Sequence, residues 1–297
     1  MNKVTIIYLG LVFSISWLID FLIFINKNNP FVVSLGLPLV MLVPGFIAIV
    51  CQVLILKKPV KKMGFYIGKT WTYFFAYVLP ILYVAVSSTL SYFMGWANFD
   101  WPLQIIKSQL PHGVAFDPSI FRMQLLIGSL TWVVPVNYIF SLSEELGWRG
   151  FLLNQLGRFG HNKSIFFTNI IWGIWHAPLI LTGLNYPEHP VAGIVWMTCF
   201  TVLFGWILCW IKMRGQSILP LALMHAVLNS QGRGLFPLVF QVRNTLIGGP
   251  MGVIGLTILA CIVLVLSLYS QTKSQVSRKD PKFDKRIEIA EWVGAFK

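Results

Sequence analysis

Eight apolar runs, separated by short polar segments, constrain this chain more than any other feature. They cover residues 4–26, 31–56, 71–95, 122–153, 163–183, 191–212, 217–231 and 249–271. A helix needs about 20 apolar residues to cross the hydrocarbon core of a bilayer. Charged residues make up 11% of the chain, whereas a soluble domain carries about 25%. The sequence therefore predicts an all-α polytopic membrane protein, with one integral membrane domain over 1–297 and about eight transmembrane helices.

The net charge of +13 does not indicate a nucleic-acid-binding protein, because the basic residues lie in short segments between the apolar runs and in the tail. If the N-terminus is cytoplasmic, 17 of the 23 Lys and Arg residues fall on the cytoplasmic side and five on the other. Such an excess of positive charge is typical of cytoplasmic loops. We therefore expect both termini to be cytoplasmic, in a lipid bilayer of the bacterial plasma-membrane type, with 271–297 as a charged tail.

The segment SLSEELGWRG, residues 141–150, places two carboxylates at the end of an apolar run. Most of the other eight acidic residues fall in loops or in the tail. An ionisable side chain at membrane depth is costly, so it is by default a hypothesis for a functional site. Glu144 and Glu145 meet this condition, and His176 and His225 lie inside two further apolar runs. Asp20, alone near the end of the first run, is expected to be structural.

Helical spacing predicts how the side chains of this segment are arranged. Glu145 and Arg149 are four residues apart, so they share a helix face and can form an ion pair. Glu144 points about 100° away from Glu145, on the face of Trp148, whose ring would keep water away from the carboxylate. We therefore expect Glu145 to face Arg149, and Glu144 to meet water and the two histidines.

These residue types together favour hydrolysis. A buried carboxylate can take a proton from water as a general base, and imidazole and amide N–H groups can donate to a developing oxyanion. His225 and Asn229, four residues apart, project from one face. An alternative is a divalent metal such as zinc, held by Glu144, His176 and His225, because three protein ligands and a water form the catalytic zinc pattern.

Three short motifs occur in order on three separate apolar runs: EExxxR at 144–149, WxxxH at 172–176 and HxxxN at 225–229. This set resembles the CAAX-protease and bacteriocin-processing family of intramembrane proteases, which includes the Ras-converting prenyl-protein endopeptidases. The resemblance covers about residues 122–232, which we take as the catalytic core. One residue departs from the family pattern, because Trp172 stands where the family commonly has Phe.

The resemblance implies a CAAX-protease-like bundle of eight helices, with a hydrolytic site that needs no metal cofactor. Glu144 would be the general base, and His176 would help it to activate water. His225 and Asn229 would form the oxyanion hole. Glu145 and Arg149 would orient the site. Trp148 and Trp172 would line its cavity.

The sequence thus predicts an intramembrane endopeptidase whose substrate is a membrane-associated protein or peptide, of the CAAX type or similar to a bacteriocin. No feature of the sequence indicates a particular cleavage sequence or oligomeric state. Two other functions are open at this point, a non-catalytic bacteriocin-immunity or scaffold protein and a proton-coupled transporter. A transporter is expected to show two matching halves, and this sequence shows no such symmetry.

Overall fold

A computed structural model describes residues 2–101, 103, 108 and 116–279, and only the backbone of 271–279. Almost all regular structure in this part of the chain is helical. The α-helices are α1 (Lys3–Ile25), α2 (Pro30–Val50), α3 (Trp71–Phe93), α4 (Pro118–Leu130), α5 (Val133–Glu145), α6 (Leu153–Leu156), α7 (His161–Trp175), α8 (Ala177–Leu181), α9 (Pro190–Gly215), α10 (Leu219–Ser230), α11 (Phe236–Val239) and α12 (Val253–Lys279).

Six helical segments of the described part are long and apolar enough to cross a membrane. They are Lys3–Ile25, Pro30–Ile55, Trp71–Phe93, Pro118–Phe159, Pro190–Gly215 and Val253–Ser270. Six of the eight predicted runs coincide with them. The chain is therefore an integral membrane protein, and the predicted all-α polytopic fold is confirmed.

The predicted number of eight spans is not confirmed, because two predicted runs contain shorter helices. The run 163–183 holds α7, with 15 residues, and the run 217–231 holds α10, with 12 residues. A helix of 12 residues is about 18 Å long, whereas the bilayer core is about 30 Å thick. These two helices carry the histidines that the sequence singled out.

Three of the long helices begin with residue types that favour a helix N-terminus. Asn2, Asn29 and Asp117 stand just before α1, α2 and α4, and each side chain accepts a hydrogen bond from a backbone N–H of the first turn. Pro30 and Pro118 then open α2 and α4, at a position where the missing N–H has no helical partner to lose. The local sequence therefore sets where these helices begin.

The predicted span 122–153 is interrupted in two places. Thr131 separates α4 from α5, and residues Leu146–Leu152 after α5 form a π-helix. All seven residues of this π-helix are buried, so the chain changes its helical register inside the protein. Single π-helical turns are rare and occur frequently at functional sites. This one contains Arg149 and directly follows the two acids.

Helix α10 lies at the centre of the bundle, between α3 and α5. Around it, α9 packs along α7, and α2 packs against α1, α5 and the π-helix. Nine of the 12 residues of α10 are buried. Because protein rather than lipid surrounds this helix, its backbone ends can be satisfied by other elements, and a short helix is tolerated at membrane depth.

Small residues bring α2 close to the segment that carries the acids. A Cβ atom at Gly147 would lie only 2.6 Å from the Tyr8 hydroxyl and from the Pro44 side chain. One turn earlier, the hydroxyl of Ser143 donates to the carbonyl of Leu42 at 2.8 Å. Small residues at helix contacts let membrane helices approach closely. The close approach excludes solvent from one side of the π-helix.

A small antiparallel sheet pairs β1 (Ala97–Phe99) with β2 (Phe240–Val242), with Ala97 opposite Val242. It connects the end of α3 to the segment that follows α11. The predicted charged tail, 271–297, lies outside the described residues from 280 onwards.

Candidate active site

Glu145 and Arg149 form a buried ion pair, as their spacing predicts. Arg149 Nη1 donates to Glu145 Oε1 at 3.0 Å, and both side chains are fully buried. The same oxygen atom accepts a hydrogen bond at 2.9 Å from Nδ1 of His225 on α10. One carboxylate oxygen therefore joins the end of α5, the π-helix and α10.

The guanidinium of Arg149 also contacts α7. Its Nη2 donates to Asn169 Oδ1 at 3.0 Å, and its central carbon lies 4.1 Å from the centre of the Trp172 ring. This separation is within the range of a cation–π interaction. Arg149 thus has a carboxylate, an amide and an aromatic face as partners, which together offset the cost of burying its charge.

Asn169 is a site residue that the sequence analysis missed. It is buried, and Gly205 on α9 leaves room for it, because a side chain there would overlap the Asn169 amide. Its sequence signal was a polar residue in the apolar run IFFTNIIWGIW, seven residues before His176. Seven residues are about two helical turns, so Asn169 and His176 share a face of α7.

Lys212 is a second residue whose contact the sequence did not predict. The charge pattern assigns it to a cytoplasmic loop, but it lies in the last turn of α9. Its Nζ donates to the backbone carbonyl of Arg149 at 2.6 Å and to Asn154 Oδ1 at 3.3 Å. The contact therefore joins the end of α9 to the π-helix.

Glu144 is held by a partner other than the one expected. The indole N–H of Trp172 donates to Glu144 Oε2 at 2.9 Å, and the carboxylate is buried. His225, which we expected beside Glu144, hydrogen-bonds Glu145, and its ring contacts the Trp172 indole that binds Glu144. Spacing gives the direction of each acid around its own helix, but it does not say which neighbouring helix lies in that direction.

Trp148 makes aromatic contacts with α1 and α7. Its ring centre is 6.3 Å from that of Tyr8 and 5.7 Å from that of Trp175. The sequence analysis expected Trp148 to be the aromatic neighbour of Glu144. In the structure, the aromatic residue that binds Glu144 is Trp172. Trp148 is fully buried and packs α1 against the site.

His176 stands at the break between α7 and α8, and its hydrogen bond indicates its tautomer. Nδ1 lies 2.8 Å from the carbonyl oxygen of Trp172. Because a carbonyl can only accept, Nδ1 must carry the proton. In the neutral imidazole, Nε2 then has a free lone pair. His176 is half-buried, and this nitrogen can accept a hydrogen bond from a water molecule.

Trp172 brings three of the predicted site residues together. Its ring centre is 5.7 Å from that of His176 and 5.3 Å from that of His225, while its N–H binds Glu144. The contacts around this indole therefore join side chains from α5, α7 and α10. They do not include Asn229, which is half-buried one turn after His225 on α10.

The metal alternative requires Glu144, His176 and His225 to converge as ligands. Among the described residues, no group of three or more His, Cys, Asp or Glu side chains is arranged to hold a metal ion. Glu144 and His225 instead bind Trp172 and Glu145. The arrangement of these side chains therefore gives no support to the predicted ligand set.

These features define a polytopic helical membrane protein with a buried cluster of carboxylates and histidines. Residues 126–231 match the family model described as Type II CAAX prenyl endopeptidase Rce1-like, and all three motifs fall within this segment. The CAAX prenyl protease 2 of Methanococcus maripaludis is 30% identical over 127 residues. The match covers 39% of this chain and 47% of that protein, about half of the relative's length. The matched segment belongs to the CAAX-protease family, as the three motifs indicate.

The two acids are predicted to differ in their effect on stability. Replacing Glu145 by Ala leaves Arg149 buried without its carboxylate, and we expect a loss of about 3–5 kcal/mol in the free energy of unfolding. Glu144→Gln is the matched variant, because the Gln side-chain oxygen can still accept the Trp172 N–H. Thermal unfolding in detergent should therefore show a large drop in Tm for Glu145→Ala and a small one for Glu144→Gln. Equal drops would contradict the assignment of the ion pair.

Proposed function

We propose that this protein is an intramembrane endopeptidase that hydrolyses a peptide bond in a membrane-associated protein or peptide. The observation that carries the proposal is the placement of Glu144, a buried carboxylate, beside Trp172 and the two imidazoles that this indole contacts. The family match over 126–231 supports a protease. The relative's name, CAAX prenyl protease 2, suggests prenylated C-terminal peptides as the first substrates to test.

In the proposed reaction, Glu144 takes a proton from a water molecule, and the hydroxide attacks the carbonyl carbon of the peptide bond. His176 Nε2, with its free lone pair, orients this water. The carbonyl oxygen becomes an oxyanion, and the C–N bond breaks when the proton held by Glu144 passes to the departing nitrogen. General acid–base steps of this kind contribute about 10²–10⁴-fold to a rate.

The contact between His225 and Glu145 suggests how an oxyanion is stabilised. A carboxylate accepts, so Nδ1 of His225 carries a proton. For Nε2 to donate to an oxyanion as well, His225 must be an imidazolium when the oxyanion forms. Its Nδ1 lies 2.9 Å from Glu145 Oε1. We propose that His225 and Asn229 donate to the oxyanion together. Glu145 would then have two roles, because it orients His225 and forms the ion pair with Arg149.

The proposal also extends to orientation in the membrane. We propose that both termini are cytoplasmic, because this orientation puts 17 of the 23 cationic residues on the cytoplasmic side. A prenylated protein substrate would then reach the site from the cytoplasmic leaflet.

The activity can be tested with the purified full chain in lipid nanodiscs. The substrate is a fluorescent peptide with an S-farnesyl cysteine three residues before its C-terminus, and mass spectrometry identifies the products. We expect cleavage by the natural protein and a loss of at least about 100-fold in kcat/KM for Glu144→Gln. Glu188→Gln, at an exposed acid whose carboxylate accepts from Thr245, is the control and should stay active. Full activity of Glu144→Gln would contradict the proposed role of this base.

Trp172, which stands where the family commonly has Phe, allows a test of the hydrogen bond to Glu144. Trp172→Phe restores the residue that is common in the family but removes the N–H that binds Glu144. A hydrogen bond to a charged group is worth about 1.5–3 kcal/mol, so we expect kcat to fall about 10–100-fold with little change in KM. Trp196→Phe loses an indole hydrogen bond to the Leu246 carbonyl and serves as the control. An unchanged kcat in Trp172→Phe would show that this bond does not position the base.

The proposed mechanism uses no metal cofactor. We therefore expect that incubation with EDTA or 1,10-phenanthroline, followed by removal of the chelator, leaves the cleavage rate unchanged. The measurement is the initial rate before and after this treatment, with a zinc protease as the positive control for chelation. A rate that disappears and returns on addition of zinc would replace the proposed mechanism with a metal-dependent one.

A further inference from the structure

Arg233 continues the line of site residues along α10. His225, Asn229 and Arg233 follow one another at intervals of four residues, so they project from about the same side of a helical segment. This segment consists of α10 and the π-helix Gln231–Leu235 that directly follows it. Arg233 belongs to none of the three motifs and lies two residues beyond the segment that matches the family model.

The surroundings of Arg233 are open to solvent. Its side chain is exposed, and a Cβ atom added at Gly232 or Gly234 would meet no atom within 4 Å. Gly234 has the non-helical angles φ −102° and ψ −106°, so the helical path breaks directly after Arg233. In the described part of the chain, the ion pairs are those of Glu145 with Arg149 and His225, and Arg233 takes part in neither.

Arg233 is nevertheless close to the proposed site. It follows Asn229 by about one turn and His225 by about two turns of the same helical segment. The two arginines therefore differ. Arg149 is paired with Glu145, whereas Arg233 has no ion-pair partner in the described part of the chain and can offer its positive charge to a ligand.

We propose that Arg233 binds a carboxylate of the substrate, namely the free α-carboxylate at the C-terminus of the peptide. A guanidinium matches a carboxylate with two parallel hydrogen bonds, which gives both affinity and orientation. The inference rests on the proposed function, which makes a peptide the ligand of the neighbouring site.

Helix geometry gives an expected distance between this carboxylate and the bond that is cleaved. His225 and Arg233 are eight residues apart, or about 12 Å along a helix. An extended peptide spans about 3.3–3.6 Å per residue. A carboxylate on Arg233 would therefore lie about three residues after the carbonyl group next to His225. Arg233 would then measure the length of the C-terminal fragment that is released.

Binding can be measured without turnover, in the Glu144→Gln background, by fluorescence anisotropy of the farnesylated peptide in nanodiscs. Three peptides are compared: the free acid, its C-terminal amide, and an amide with aspartate as its last residue. We expect the free acid to bind at least tenfold more tightly than the amide. Arg233→Gln should remove this difference, and Arg233→Lys should retain part of it.

Arg243→Gln is the matched control, because this exposed arginine binds Asn98 beside the small sheet. The Arg243→Gln variant should still prefer the free acid to the amide. If the aspartyl amide binds as tightly as the free acid, the ligand is any carboxylate at this position, and the assignment to the α-carboxylate is overturned. A preference for the acid that is unchanged in Arg233→Gln would overturn the proposal. Binding and cleavage are measured separately. If the protein prefers the free acid but cleaves no peptide, the result contradicts the peptidase function and leaves the role of Arg233 standing.

Discussion

The buried ion pair between Glu145 and Arg149 is the interaction on which the arrangement of the site depends. Two charges at membrane depth are costly, and their attraction offsets this cost only when other hydrogen bonds satisfy their remaining groups. Here His225 donates to the same Glu145 oxygen, Asn169 accepts from the guanidinium, and the Trp172 ring covers it. Among the described residues, Glu145 Oε2 and Arg149 Nε have no hydrogen-bond partner, so part of the burial cost remains. The pair therefore holds α7 and α10 at fixed positions relative to the end of α5.

The two neighbouring acids have different surroundings, which explains why the chain carries both. Glu145 Oε1 accepts hydrogen bonds from both Arg149 and His225. Glu144 has one neutral donor, the indole of Trp172, and no cation in direct hydrogen-bond contact in the described part of the chain. A carboxylate with one neutral donor can still accept a proton, and for this reason we propose Glu144 rather than Glu145 as the base.

Short helices at the centre of a membrane protein depend on the longer ones around them. Helices α7 and α10 are too short to cross a bilayer, yet they carry Trp172, His176 and His225. Helix α10 packs against α3 and α5, and α7 packs against α9. Helix ends and a π-helix at this depth place polar groups where an uninterrupted span could not.

The sequence by itself determined the membrane class, the approximate position of six spans, the helix starts at Asn2, Asn29 and Asp117, and the Glu145–Arg149 pair. All of these depend on residues close together in the chain, where composition, capping and four-residue spacing are sufficient. Only the tertiary structure decided that His225 binds Glu145, that Trp172 rather than Trp148 holds Glu144, and that Asn169 and Lys212 complete the surroundings of Arg149. These contacts join residues 20 to 80 positions apart, and they arise from how helices pack, which local spacing does not specify.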